Sequence, residues 1–77
     1  MSPAQCRAAR ALLELTQPEL AKHSSMGLST IVDFEKSRRR ISSSSIAILK
    51  NTLERLGIQF IDENGGGAGV RLSKPAP

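Results

Sequence analysis

Two helix-start signatures in the first twenty residues constrain this chain more than any other feature. Thr16 followed three residues later by Glu19 is a capping box, in which each side chain satisfies an orphan amide at the start of a helix. Leu15 and Leu20 occupy the two positions of a hydrophobic staple around it, and Pro18 falls in the first turn, where amides have no helical partner. A helix therefore begins at Gln17. Ser2, Pro3 and Gln5 repeat the signature, so another helix begins at Pro3 and runs to about Glu14.

The helix that begins at Gln17 is short, and another is set closely behind it. Leu20 and Ala21 give the earlier one its buried side, the pattern decays at Ser24 and Ser25, and Met26 is a single apolar anchor before Gly27. From Leu28 onward, Ile31, Phe34 and Glu35 recur at helical spacing, with Ser29, Thr30, Asp33 and Lys36 on the other sides. That helix ends near Lys36. Two short helices joined by a tight turn define a helix-turn-helix.

The remaining segments fit around this motif. Cys6, Ala9 and Leu13 share one face of the first helix, with Arg7 and Glu14 off it. Ser42 to Ser45 offers several caps, after which Ile46, Leu49, Leu53 and Leu56 form a buried stripe closed by Gly57. The period then changes from helical to alternating: Ile58 and Phe60 flank Gln59, and Val70 and Leu72 flank Arg71. This predicts a β-hairpin around Asn64-Gly65, followed by a flexible tail over 74–77.

Gln17, Leu20-Ala21, Met26, Ser29-Thr30-Ile31 and Phe34-Glu35 together resemble the helix-turn-helix of the Cro/CI (Xre) transcriptional regulators, which include lambdoid phage repressors. The resemblance covers roughly residues 4 to 57. It implies a mainly α, lambda-repressor-like bundle of about five short helices, here with the hairpin added, that binds operator DNA as a homodimer. It also implies a structural ion pair between Arg10 and Glu35, and base contacts from Leu28, Ser29, Val32 and Asp33. On this reading residues 1–57 are the DNA-binding domain and 58–73 the dimerisation element.

Charge points the same way. The 77 residues hold 11 Lys and Arg against 7 Asp and Glu, a formal charge of +4 that favours a polyanionic partner. Lys36, Arg38, Arg39 and Arg40 lie directly after the second helix of the motif, where they can neutralise phosphates; a solvated charge run is the plain alternative. Gln17, at a helix start, can donate to a phosphate or simply face water. Gly27 and Thr30 complete the candidate DNA-binding set. Strong base readers are absent from the exposed face: Leu28 and Val32 can meet thymine methyls, Ser29 several groups, and Asp33 cytosine N4. Weak direct readout is expected, with specificity drawn from methyl contacts, DNA shape and dimer spacing.

Ile58, Phe60, Val70 and Leu72 need a surface to cover. Their hairpin can lie on its own helices, or pair edge to edge with a second chain, the arrangement favoured here; the glycine tract can also be a mobile loop. A chain this short has a marginal core, and dimerisation would add stability. With one His, one Cys, no metal-ligand cluster and no phosphate-binding loop, neither catalysis nor a cofactor is expected. His23 reads as a solvent-facing residue and Cys6 as a small core residue. No apolar run reaches membrane-spanning length, and a lone cysteine without a secretory leader fits a reducing cytoplasm. A protein-binding adaptor or an antitoxin-like partner of the same fold is the other function class in view.

Overall fold

The computed structural model describes residues 1–73, and the expected flexible tail lies outside them. In chain order the elements are α1 (Pro3–Leu13), α2 (Gln17–Ser24), α3 (Leu28–Glu35), α4 (Ser43–Arg55), β1 (Ile58–Ile61) and β2 (Gly69–Leu72). The described residues thus hold four helices where the family pattern implies about five. Between α3 and α4 the chain makes only turns and bends, because Ser37 takes a positive φ of 55° and breaks the helical path.

Both capping boxes form as the sequence indicates. The Ser2 hydroxyl accepts from the Gln5 amide while the Gln5 side chain accepts from the Ser2 amide, and Thr16 and Glu19 exchange the same pair of bonds. Helix ends use a less expected device. Glu14, Ser25 and Ser37 all sit in the left-handed region. After each, amides fold back onto carbonyls of the last turn, as Leu15 does onto Arg10 and Met26 onto Ala21. Non-glycine residues in this conformation carry a cost of roughly 1–2 kcal/mol each, which the recovered hydrogen bonds and the inward packing of Met26 offset.

The core is a single cluster drawn from every helix. Cys6 and Ala9 from α1, Leu20 from α2, Ile31 and Phe34 from α3, and Leu49 and Leu53 from α4 are all buried. Ile41 joins them from the segment before α4, and Ile58 from β1. The apolar side chains of the hairpin complete the lid. Ile58 pairs with Leu72 and Phe60 with Val70 in an antiparallel register whose midpoint is residue 65, so all four residues share one face. That face packs onto the chain's own helices.

These four side chains face the chain's own helices. They are committed to the chain's own core because a two-stranded ribbon with one apolar face buries it on the nearest available surface. Gln5 fixes the arrangement by donating from Nε2 to the carbonyls of Ile61, at 3.3 Å, and Gly69, at 3.0 Å. The hairpin therefore packs against the same core as residues 1–57, with Ile58 buried and Phe60, Val70 and Leu72 half-buried.

Candidate nucleic-acid interface

The helix-turn-helix is locked from one side and open on the other. Ile31, Phe34 and Glu35 turn inward from α3. At about 3.6 residues per turn, Ser29, Val32, Asp33 and Lys36 fall on the opposite side, with Leu28 at its leading flank. Leu28 is 44% exposed, Ser29 and Lys36 are exposed, and Val32, Asp33 and Thr30 are half-buried.

The inward side is organised around one carboxylate. Glu35 accepts from Arg10 Nε at 2.8 Å on Oε2 and from Arg10 Nη2 at 2.6 Å on Oε1, a bidentate pair. Cys6 Sγ donates to Oε2 at 3.1 Å, and Gln17 Nε2 donates to Oε1 at 2.9 Å. Arg7 Nη1 donates to the Glu35 main-chain carbonyl, which closes the C-terminal end of α3. Residues from α1, α2 and α3 thus meet at one point. Burial alone would raise the Glu35 carboxyl, but bonds from Arg10, Cys6 and Gln17 outweigh it and hold the group below its ordinary range. The Cys6 thiol moves the other way: burial, then its bond to Glu35, keep it protonated as a donor.

Arg10 and Glu35 therefore form the ion pair the resemblance implies. At the start of α2, Gln17 gives one of its two Nε2 hydrogens to Glu35, and Pro18 has no N–H to add. At the start of α3, Gly27 supplies no side-chain cap, which leaves the amides of Leu28 and Ser29 at the surface beside the exposed face.

The basic segment is short and held at both ends. The amides of Ser37 and Arg38 bond to the carbonyls of Phe34 and Asp33, and Ile41 is buried four residues beyond the first of these. Lys36, Arg38, Arg39 and Arg40 are all exposed around and between these anchors. Arg39 folds back over α3, with Nε 2.8 Å from Asp33 Oδ2 and Nη2 3.4 Å from Thr30 Oγ1. Among the described residues this is the second of two ion pairs, the first being Arg10 with Glu35. Arg39 thus occupies Oδ2 of Asp33, while Oδ1 has no side-chain partner among the described residues.

Sequence reasoning missed Arg7 and Gln5 as contributors to the frame through distant partners. The three-residue spacing of Arg7 and Arg10 puts both on one side of α1, which was a usable signal for Arg7. Gln5 carried no such signal, since its second role lies 56 and 64 residues away along the chain.

No protein-family model matches the chain, and no curated protein proves similar to it. Among the described residues no helix is long and apolar enough to cross a membrane.

Proposed function

We propose that this chain is a DNA-binding transcriptional regulator, acting as a repressor, that docks α3 in the major groove. The observation that carries this reading is the two-sided character of α3. Its inner side is fixed by Ile31, Phe34 and the Glu35 network, while its outer side carries the exposed Leu28, Ser29 and Lys36, with Arg38 and Arg40 immediately beyond it. A helix held so rigidly, with its polar side uncovered beside a block of cations, suits insertion between two phosphate backbones. The resemblance to the Cro/CI regulators supports the same conclusion.

Operator binding as a homodimer belongs to this proposal. Two recognition helices must sit about 34 Å apart to reach successive turns of one groove face. Since the apolar face of the hairpin is used within the chain, the strand edges are the elements left to join two copies. A second reading, in which the face of α3 docks a protein as an adaptor or antitoxin-like module, draws on Leu28, a large apolar side chain 44% exposed at the front of the surface.

Duplex binding measured across a salt series tests the proposal. Affinity should fall as salt rises, and replacing Arg38 and Arg40 with Ala should lower the logarithmic slope by roughly 0.9 for each phosphate no longer neutralised. Absence of duplex binding by the intact protein at low salt would overturn the DNA reading and favour the adaptor.

A further inference from the structure

Arg39 stands apart from the other cations of its segment. Lys36, Arg38 and Arg40 have no side-chain ion pair among the described residues, whereas Arg39 is drawn back over the outer side of α3 by two residues one turn apart. We propose that Arg39, buttressed by Asp33 and Thr30, is the base-reading residue of this surface and selects guanine. The inference rests on the DNA-binding reading above and assigns a specificity that the residues of α3 alone do not supply.

The chemistry is set by which hydrogens are used. A guanidinium carries five N–H donors in a planar fork. Asp33 takes the Nε hydrogen and Thr30 one hydrogen of Nη2, both along the side of the fork. Both hydrogens of Nη1 and one of Nη2 remain, and the end of the fork offers the parallel donor pair that matches O6 and N7 of guanine. On the exposed side of α3, Leu28, Ser29, Val32 and Asp33 hold no Arg, Asn or Gln, and Lys36 offers an ammonium without a planar fork or a side-chain partner to orient it.

The two anchors also explain an acid in an unfavourable place. A free carboxylate at the centre of a groove-facing helix would repel the phosphates on either side. Paired with Arg39 it is neutralised and instead orients a side chain that would otherwise sample many rotamers. An arginine serving only as a phosphate contact gains nothing from this, because the acid cancels the charge that phosphate binding uses. The guanidinium is nonetheless open enough to reach a base: the Arg39 side chain is 55% exposed, against 25% for Asp33.

Selection of bound duplexes from a random pool, run at moderate salt on the intact protein and on R39K, D33N and R38A, tests the assignment. The wild type should enrich sites with a fixed guanine in each half-site. R39K keeps the charge but lacks the planar fork that Asp33 and Thr30 hold in place, so it should lose about tenfold or more of the preference for guanine over other bases at that position. D33N should bind duplexes in general more tightly, yet with a flattened preference at the same position. R38A should weaken all sites alike and keep the guanine. Thermal unfolding of each variant checks that the fold is intact, as expected for positions outside the core cluster. An R39K protein that retains the wild-type site preference, or a D33N protein that gains affinity without losing the guanine, would overturn the inference while leaving the DNA reading standing. A wild-type protein that binds no duplex at low salt would overturn both.

Discussion

Replacing Glu35 with Gln puts the centre of the frame to its strongest test. Each carboxylate oxygen accepts from Arg10 and from one other donor, Gln17 on Oε1 and Cys6 on Oε2. A glutamine amide keeps only one acceptor, so whichever way it turns, its NH2 group faces an Arg10 donor. The side chain is 1% exposed, and water cannot relieve the clash. Breaking a buried pair from one side costs about 3–5 kcal/mol. A 77-residue domain has a total stability of about 4–12 kcal/mol at ordinary values per residue, so E35Q should remove a large share of it. At about 4–8 °C per kcal/mol for a domain of this size, Tm should fall by about 12 °C or more in far-UV circular dichroism. Acid provides an independent check. The folded-state pKa of Glu35 lies below its ordinary value of 4.5, so its contribution is fully present above that value and is lost as pH falls through the folded one. The stability gap between wild type and E35Q should therefore be constant from neutral pH down to the ordinary value and shrink below it. A cost under about 1 kcal/mol, the range of an exposed pair, or a gap that widens in acid would refute the reasoning.

The fold sets two further outcomes. Truncation after Gly57 should abolish cooperative unfolding rather than yield folded monomers, because it removes Ile58, 2% exposed, together with Phe60, Val70 and Leu72 from the core. Loss of one buried Ile side chain alone costs about 2–5 kcal/mol, and a truncated chain with a sharp thermal transition would show that the hairpin is separable. Ser25→Gly should raise Tm by a few degrees. It relieves left-handed strain of roughly 1–2 kcal/mol at φ 57°, against about 0.4–1 kcal/mol of added freedom in the unfolded chain. A lower Tm for the glycine variant would place the turn's strain elsewhere.

Local chemistry was the legible part of this chain. Helix starts at Pro3 and Gln17 were readable because capping boxes are bonds between residues three apart. The strands were readable because alternation over four residues is a local pattern, and their register centred on residue 65 as Asn64-Gly65 suggested. Everything set by distant partners stayed hidden. Which surface the apolar face of the hairpin covers depends on Gln5 and the helices, and no spacing in the tail encodes that choice. The conformation of Ser37 was equally obscure, since a serine in the left-handed region is held there by the amides of its own turn rather than by any preference of serine. At the candidate interface the residues were found one by one, but the joining of Arg39 to Asp33 and Thr30 was not. It requires the chain to double back over α3 after Ser37, a path that periodicity does not describe.

Two arginine–acid pairs flank α3, and their contrast separates frame from reader. Arg10 and Glu35 are 19% and 1% exposed, and three of the five N–H donors of Arg10 are engaged inside the fold: Nε and one of Nη2 by Glu35, one of Nη1 by the Leu15 carbonyl. A guanidinium so occupied has little to offer a ligand, and its value lies in fixing where α3 sits against α1 and α2. Arg39 and Asp33 are far more exposed, at 55% and 25%, and an open pair of this kind contributes about 0–1 kcal/mol to stability. Its small energetic worth makes a purely structural purpose a weak account of its geometry. Both arginines are held through the Nε and Nη2 side of the fork, but the end of the Arg39 fork makes no hydrogen bond among the described residues, the arrangement a positioned donor needs. Burial, rather than residue type, thus separates the scaffold pair from the one proposed for recognition.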